Sequence, residues 1–207
     1  MTPDNRKTHW QGVYRTKAAD TVSWYQPSPL PSLEMVAASD IDPSARVVDI
    51  GAGASSFVDA LLDRGFTRIT VLDIAEAALD VARARQGARA TLVDWTVADV
   101  RSWQPGHIYD LWHDRAVFHF LTDATDRAAY KATMTAALPQ GGMAILATFA
   151  EDGPERCSGL PVRRYSAADL VAELGENFSL VVHKKEKHLT PAGAEQSFTW
   201  ALFRRDR

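Results

Sequence analysis

The sequence has little of three features that would restrict what the protein can do. It holds one cysteine in 207 residues, which excludes an internal disulfide and is typical of the reducing cytoplasm. Its 23 lysines and arginines stand against 26 aspartates and glutamates, so a broad basic face for nucleic acid is not expected. No apolar run approaches a membrane span and the polar N-terminus has no apolar signal region, so we expect neither membrane insertion nor export.

Hydrophobic residues, in contrast, are plentiful. They make up 46% of the chain, enough for one domain with a sizeable core over residues 1–207. Two segments differ from the rest of this predicted domain. Residues 1–31 are polar but carry several aromatic side chains, and residues 150–166 contain glycines and prolines that exclude a long helix or strand.

The stretch around Gly51 predicts a ligand-binding turn. Residues 47–50 are mostly apolar, as a strand buried on both faces requires, and residues 54–64 place apolar side chains at helical spacing. Between them, Gly51 and Gly53 allow a tight turn and a close approach of the backbone to a ligand. A nucleotide-like ligand would lie across the start of the helix, where free N–H groups point outward. A tight turn that holds no ligand remains the alternative.

Two residues beside this turn indicate which nucleotide it would suit. The dinucleotide-binding pattern G-x-G-x-x-G has a third glycine, and this sequence has Ser56 there. Asp49 places a carboxylate just before the turn, which would repel a pyrophosphate and attract an ammonium group. The turn therefore favours a nucleoside that bears an amino acid over NAD.

Acidic residues recur at the carboxyl ends of four successive predicted strands. Asp73 ends the second strand and lies 22 residues after Gly51, where such folds place a carboxylate that binds ribose. Asp99 follows the third strand, and Asp114 follows the fourth. Because ligands of open α/β sheets bind at this edge, we expect these carboxylates to face one ligand.

These motifs together resemble the class I S-adenosylmethionine-dependent methyltransferases, most strongly over residues 47–149. Asp49–Gly53 resembles the first motif of that family, and Leu138–Gly142 resembles the turn before its fifth strand. The resemblance implies S-adenosyl-L-methionine as the cofactor. It also implies an α/β, Rossmann-like sheet of seven strands, mostly parallel, with a C-terminal antiparallel hairpin and helices on both faces.

The family's site residues can be placed on matching positions of this sequence. Asp73 is expected to hold the ribose hydroxyls, and Asp99 with Val100 to bind the adenine. His113 follows the fourth predicted strand and would face methionine and substrate. The predicted cofactor-binding residues are Trp10, Tyr14, Trp24, Asp49, Gly51, Gly53, Asp73, Ile74, Asp99, Val100 and His113.

The seven strands can be read from the apolar runs. They are predicted at residues 47–50, 68–73, 90–93, 108–112, 143–149, 179–187 and 198–205. The last two alternate between apolar and polar residues and are expected to form the C-terminal hairpin. A sheet edge built from βα units has no such hairpin, which argues against an NAD-dependent oxidoreductase.

Residues 1–31 are predicted to form a lid over the cofactor. The spacing of Trp10 and Tyr14 suits one face of a short helix. Ser23–Gln26 resembles an aromatic motif that contacts the methionine portion in thiopurine-type and lysine-modifying methyltransferases, and its Tyr25 is a candidate substrate contact. An aromatic face near a sulfonium attracts the positive charge. The alternative is a hydrophobic clasp that only packs on the domain.

Residues 150–166 are predicted to form the acceptor loop, because a loop after the fifth strand overhangs the site in this fold. Cys157 lies in the middle of the loop, and Arg163 and Arg164 lie near its end. The three are candidate substrate contacts, and the arginines could hold an anionic acceptor through bidentate contacts. An ordinary crossover loop is the alternative.

Methyl transfer from a sulfonium is an in-line displacement, so the protein mainly aligns and desolvates the nucleophile. A base is needed only where the acceptor carries its proton at neutral pH. The predicted catalytic residues are Asp114, Arg115 and His119, with His113 as a further candidate proton acceptor. Capping of the next turn also explains Asp114, and packing in the core also explains His119.

A metal site is not expected. The separations of His113, His119, Cys157, His183 and His188 match no compact zinc pattern. Methyl passes directly from donor to acceptor in the family that the chain resembles, so a nucleophilic Cys157 is not expected either.

The sequence therefore predicts a cytoplasmic methyltransferase for a small molecule, with a thiol, selenol or other soft nucleophile as the favoured acceptor because of the thiopurine-type similarity. Two other functions remain open. One is a protein lysine N-methyltransferase, whose acceptor would be a protein chain. The other is a non-catalytic module that binds S-adenosylmethionine without reacting.

Overall fold

A computed structural model gives the structure of residues 3–207, which contain nine strands and six α-helices. The strands are β1 (Arg46–Ile50), β2 (Arg68–Asp73), β3 (Val93–Val97), β4 (Leu111–Arg115), β5 (Met143–Phe149), β6 (Arg156–Cys157), β7 (Leu160–Pro161), β8 (Phe178–Leu189) and β9 (Glu195–Arg205). The helices are α1 (Pro3–Thr16), α2 (Leu30–Ala38), α3 (Phe57–Asp63), α4 (Glu76–Gln86), α5 (Ala124–Ala137) and α6 (Ala167–Leu174). Three short 3₁₀ helices cover Gly87–Leu92, Phe118–Phe120 and Gly175–Asn177.

Seven strands form one sheet in the order β3-β2-β1-β4-β5-β9-β8. The first five are parallel, and β9 and β8 run antiparallel to β5 and to each other. The predicted fold class, including the C-terminal hairpin, is confirmed. None of the helices in residues 3–207 is long and apolar enough to cross a membrane.

The centre of the sheet explains why β1 is an uninterrupted apolar run. Val47 belongs to a core on one face of the sheet and Val48 to a core on the other, and neither is exposed to solvent. Strand β1 pairs with β2 and β4, so Ile50 lies beside Leu72 and Asp114. The carboxyl ends of these three strands therefore meet at one edge, where the glycine turn begins.

Two strands begin three residues later than the sequence predicts. Leu92 and Ile108, taken as strand residues, are both 56% exposed, and Leu92 ends a 3₁₀ helix. The apolar character of these positions thus reflects surface residues and not a buried strand. As a consequence, His113, Asp114 and Arg115 lie inside β4 and not after it.

Candidate functional site

The turn after β1 has the tight geometry that its glycines predict. Gly51 and Gly53 have φ values of +59° and +56°, a region that glycine adopts without strain. A Cβ on Gly51 would lie 2.0 Å from Cγ2 of Val117, so no larger residue fits. Helix α3 begins only at Phe57, three residues later than predicted.

Asp73 lies at the end of β2 and braces this turn. Its Oδ2 accepts a hydrogen bond from the Gly53 N–H at 2.8 Å, and its Oδ1 accepts one from the Ala75 N–H at 2.8 Å. Burial raises the pKa of Asp73 to about 6, against the effect of these hydrogen bonds. The carboxyl group is therefore ionised at neutral pH and titrates slightly below it.

Asp99 belongs to a chain of charges that reaches the N-terminal helix. Arg101 binds Asp99 through two nitrogens and also donates to Oδ1 of Asp126 on α5 at 2.6 Å. The other oxygen of Asp126 accepts from Arg6 of α1 at 2.6 Å. Burial opposes ionisation of Asp99, but the hydrogen bonds from Arg101 lower its pKa below the usual range. Arg101 carried no signal in the sequence, since it stands in a loop.

A first cavity of about 810 Å³, counting its open mouth, lies beside these carboxylates. The cavity is lined by ten of the predicted site residues: Trp10, Tyr14, Trp24, Gly51, Asp73, Ile74, Asp99, Val100, Arg115 and Cys157. Residues far apart in the sequence thus converge on one space, as the predicted cofactor site requires.

Helix α1 covers the first cavity with aromatic side chains. The Trp10 ring lies edge-on to Trp24, at 5.6 Å between centroids, and to Phe120, at 5.2 Å. The Trp24 indole N–H donates to the hydroxyl of Tyr14 at 3.3 Å. That hydroxyl would lie 2.1 Å from a Cβ on Gly53, so Tyr14 uses the space that this glycine leaves.

Three contacts outside the aromatic cluster fasten α1 to the body of the protein. Arg6 binds Asp126, as described above. The side-chain oxygen of Gln11 accepts from the Ala77 N–H at 3.2 Å, and His9 lies 3.2 Å from the hydroxyl of Ser158 at the tip of the β6–β7 hairpin. The segment therefore spans the cavity from α4 and α5 to the loop after β5.

A second cavity, of about 1270 Å³ when its open mouth is counted, is also lined by Tyr14 and Trp24. Among the predicted site residues, Tyr25, Asp49 and His113 line this second cavity and not the first. Both cavities are lined by Tyr14, Trp24, Ile50, Gly51 and Arg115. The two spaces therefore meet at the glycine turn and at one arginine.

Arg115 lies at this junction, and only one of its three side-chain nitrogens has a hydrogen-bond partner among the described residues. Its Nη1 donates to the Trp24 carbonyl at 2.8 Å, and its guanidinium stands 5.0 Å from the centroid of the Phe198 ring. Nε and Nη2 are buried and have no partner among the described residues. Burial lowers the pKa of Arg115 to about 10, so the group is still a cation at neutral pH. Two buried N–H groups that lack acceptors are suited to a carboxylate or a similar oxyanion.

Asp49 and His113 form a buried pair beside the second cavity. Nδ1 of His113 lies 2.7 Å from Oδ1 of Asp49, and Nε2 lies 2.9 Å from the hydroxyl of Ser32 in α2. Oδ2 of Asp49 is buried and has no partner among the described residues. Ser32 was not predicted, because a serine in a helix 81 residues away carries no sign of this contact.

Two predicted catalytic residues lie outside both cavities. Asp114 is fully buried, and its oxygens accept from the Val117 N–H at 2.8 Å and the Tyr130 hydroxyl at 2.5 Å. Burial raises the pKa of Asp114 to about 6. His119 is also fully buried and accepts from the Phe149 N–H at 3.2 Å, and burial lowers its pKa to about 3. The structure thus gives both side chains the capping and packing roles that were the alternatives.

The arginines of the predicted acceptor loop also point elsewhere. Arg163 binds Glu173 at 3.3 Å and stacks on Tyr165, while Arg164 binds Glu155 at 3.2 Å. Neither lines the first or the second cavity. Of the three arginines proposed for an anionic acceptor, only Arg115 reaches the site, and the remaining site residues stay predictions.

The buried hydrogen-bond chain Trp112–Tyr130–Asp114 is expected to stabilise the fold. The Trp112 indole N–H donates to the Tyr130 hydroxyl at 2.8 Å, which donates to Asp114. We expect Tyr130→Phe to destabilise the fold by about 1–3 kcal/mol, because it leaves a buried donor and a buried carboxylate oxygen short of partners. Denaturant unfolding measures this loss. An unchanged free energy of unfolding would contradict the structural role of Asp114, and cofactor affinity per folded molecule should be unaltered.

Comparisons with known proteins agree with this arrangement. Residues 47–142 match a family model described as a methyltransferase domain. Nodulation protein S of Sinorhizobium fredii (strain NBRC 101917 / NGR234) is 30% identical over 103 residues, which are 49% of this chain and 46% of that protein. The match therefore spans about half of this chain and less than half of the curated relative.

Solved structures of other proteins are similar to this chain over nearly its whole length. The N-methyltransferase NodS of Bradyrhizobium japonicum WM9, in complex with S-adenosyl-L-homocysteine, is 18% identical with a TM-score of 0.72, over 96% of this chain and 99% of that chain. A 1,6-didemethyltoxoflavin-N1-methyltransferase of Burkholderia thailandensis, with its substrate and S-adenosylhomocysteine bound, is 19% identical with a TM-score of 0.68, over 100% and 92% of the two chains. At these identities the likeness concerns the fold.

Proposed function

Because residues 47–142 match a methyltransferase domain, we propose that the chain is a class I methyltransferase that transfers the methyl group of S-adenosylmethionine to a small molecule. The observation that carries this proposal is the meeting of two cavities at Gly51 and Arg115. One space is lined by the carboxylates that suit a nucleoside, and the other holds unpaired polar groups. A donor that extends along the glycine turn from the first cavity into the second can thus meet an acceptor beside Arg115.

The residues of the first cavity fit the nucleoside part of this cofactor. Asp73 carries an ionised carboxylate that can accept hydrogen bonds from ribose hydroxyls in addition to its backbone donors. Asp99 and Val100 line the same cavity and would hold the adenine. Asp49 lines the second cavity, which adjoins the first at Gly51, and keeps one buried oxygen free, which suits the ammonium group of the methionine part.

The aromatic side chains of α1 and its neighbours suit the positive charge of a sulfonium. When bound, S-adenosylmethionine supplies a methyl group that is already activated by that charge. Trp10, Trp24 and Phe120 pack together on the wall of the first cavity or beside it, and aromatic faces attract cations. By covering the cavity they also exclude water, which would compete with the acceptor.

The titratable groups of the cavities favour an acceptor that needs no base. Asp73 and Asp99 are engaged by hydrogen bonds, His113 has both ring nitrogens occupied, and burial raises the pKa of the Cys157 thiol to about 11. We therefore favour a nucleophile whose lone pair is available at neutral pH. A thiol, a selenol or another soft nucleophile is our first choice, since such anions form readily.

An amine or ring nitrogen is the alternative acceptor. It is supported by the two solved relatives that are described as N-methyltransferases. A ring nitrogen or an aromatic amine has a free lone pair at neutral pH and needs no base, so the cavities suit it equally, whereas an aliphatic amine would first have to lose a proton. The sequence also predicts that nucleic acid is not a partner and that the protein is cytoplasmic, and both remain predictions.

A panel of acceptors tests the proposed function. The protein is incubated with S-adenosylmethionine and with thiols, selenols, amines and nitrogen heterocycles, and S-adenosylhomocysteine and methylated products are measured by mass spectrometry. Product from a small molecule supports the proposal. Transfer of labelled methyl only to protein in a lysate would favour a protein lysine methyltransferase, and binding of the donor without any product would favour a non-catalytic module.

The pKa of Asp73 makes cofactor affinity depend on pH. Protonation of Asp73 removes the charged acceptor for the ribose, and its pKa lies at about 6 in the ligand-free protein. We expect S-adenosylhomocysteine to bind about 10-fold more weakly at pH 5 than at pH 7.5, because affinity falls tenfold per pH unit below the pKa. Isothermal titration calorimetry measures the affinity.

The raised pKa of Asp73 also determines how the stability of the fold changes with pH. Because the folded pKa of Asp73 is raised, its contribution to stability is complete below the unfolded value of 3.8 and is lost as the pH rises through about 6. Ligand affinity therefore changes opposite to stability over this window. The Asp73→Asn variant should bind S-adenosylhomocysteine more weakly by about 1–3 kcal/mol at pH 7.5, and its affinity should not change near pH 6. In the Asp114→Asn variant, whose altered residue lies outside the two cavities, the affinity should still fall below pH 6.

A further inference from the structure

The buried chain Ser32–His113–Asp49 joins a helix outside the nucleoside site to the glycine turn. All three side chains are almost inaccessible to solvent, with 1% exposure for Ser32 and 2% each for His113 and Asp49. A carboxylate can only accept hydrogen bonds, so Nδ1 of His113 donates to Oδ1 of Asp49. In the neutral ring, Nε2 then accepts from the Ser32 hydroxyl.

The same hydrogen-bond order occurs in hydrolases that use a serine nucleophile, but the placement here excludes that chemistry. Ser32 lines neither cavity and is buried within α2, so no substrate can reach its oxygen. Asp49 and His113 both line the second cavity, but both ring nitrogens of His113 are engaged within the protein, so the group left to meet a ligand is the free oxygen of Asp49. Whatever the chain does for a ligand must act through Asp49.

Asp49 is held asymmetrically. Oδ1 is bound by His113, whose ring also stacks on Phe57 at 4.1 Å between centroids. Oδ2 is buried without a partner among the described residues. A half-satisfied buried carboxylate is unfavourable by itself, and a positively charged ligand group would complete it.

We propose that His113 is a positioning residue that fixes Asp49 with one carboxylate oxygen free to receive the ammonium group of the cofactor. This inference rests on the proposed function, because it takes S-adenosylmethionine as the ligand. Ser32 fixes the ring in turn, through the far nitrogen. Both ring nitrogens of His113 are occupied within the protein, so His113 itself need not touch the ligand.

The proposal is tested with two ligands that differ only in the ammonium group. These are S-adenosylhomocysteine and its deamino analogue, in which hydrogen replaces the amino group. His113→Leu removes the donor to Asp49, whereas the amide nitrogen of His113→Asn stands about where Nδ1 is and can still donate. The affinity of each protein for each ligand is measured by calorimetry, and thermal unfolding confirms that the variants are folded.

The expected result is a selective loss. In the wild-type protein, S-adenosylhomocysteine should bind at least about 10-fold more tightly than the deamino analogue, the effect of one charge-assisted hydrogen bond. His113→Leu should lose most of this preference, and His113→Asn should keep most of it. Ser32→Ala, which keeps the ring, should reduce the preference less than His113→Leu and provides the comparison if that variant does not fold.

Three results would overturn the inference and one would overturn its premise. If the His113 variants weaken both ligands equally, or if Asn and Leu behave alike, His113 only supports the fold. If the wild-type protein binds neither ligand, the proposed function itself fails. Wild-type binding without any preference for the ammonium group would remove the role of Asp49 and so of His113, while the methyltransferase assignment would stand.

Discussion

Gly51→Ala is expected to weaken the binding of S-adenosylhomocysteine by at least about 100-fold. The new Cβ would lie 2.0 Å from Cγ2 of Val117, so the turn or the strand end beside it must move. The φ of +59° adds a backbone penalty of about 1 kcal/mol for any residue with a side chain. Because Gly51 lines both cavities, the movement would disturb donor and acceptor space together. Calorimetry measures the affinity.

Gly87→Ala is the matched control for this variant. Gly87 also has a positive φ, +56°, with a ψ of −124° that glycine adopts far more readily than other residues, but nothing lies within 4 Å of its added Cβ and it lines neither cavity. Its backbone penalty should therefore lower the free energy of unfolding without changing affinity by more than about twofold. Equal losses of affinity in both variants would show that Gly51 matters only for stability and not for the site.

Arg115→Ala is expected to lower kcat/KM for the acceptor by at least about 100-fold, as removal of one partner from a buried charged contact costs about 2–5 kcal/mol. Its Nε and Nη2 have no partner among the described residues, so a ligand oxyanion is the natural acceptor for them. We expect the affinity for S-adenosylhomocysteine to change less than turnover. Steady-state kinetics with the acceptor from the panel, together with calorimetry, separate the two effects.

Arg163→Ala serves as the control, since Arg163 is bound to Glu173 and lines neither cavity. Its kcat/KM should stay within about twofold of the wild type, as for most surface ion pairs. Arg115→Lys should not restore activity, because an ammonium group cannot form the planar, two-pronged contact of a guanidinium. An Arg115→Ala variant that loses affinity and turnover equally would place Arg115 at the cofactor and not at the acceptor.

The fold was largely predictable because several elements have clear local signals. Strands β2 and β5 have the predicted bounds, and helix α6 is preceded by Ser166, whose hydroxyl accepts from the Asp169 N–H at 3.1 Å. Alternating or helical apolar spacing, followed by a cap or a proline, fixes such elements locally. Strand β4 lacked such a signal at its start, since the exposed Ile108 continues the apolar run.

The wrong bounds predicted for β4 also led to wrong expectations about the site. Side chains along a strand alternate between its two faces, so His113 and Arg115 share one face and Asp114 lies on the other. His113 and Arg115 accordingly line the second cavity, and Asp114 points into the core on the far side. A strand predicted to end at residue 112 left this alternation unused, and all three residues were taken as facing the ligand.

Other contacts could not be read from the sequence at all. Arg101 and Ser32 reach their partners only through the tertiary structure, and neither belongs to a motif. The carboxylates of the first cavity were predictable because the carboxyl ends of parallel strands always meet at one edge. Which of them is free, and which is already bound by an arginine, depends on loops whose paths the sequence does not specify.

The contacts that hold helix α1 in place affect how a ligand enters and leaves the first cavity. The helix is bound to α5 through Arg6 and to the β6–β7 hairpin through His9, and its aromatic side chains cover the nucleoside space. A nucleoside bound in this space would lie beneath the aromatic side chains of α1, so the contacts that hold α1, among them the Arg6–Asp126 ion pair, would also slow its exchange with solvent.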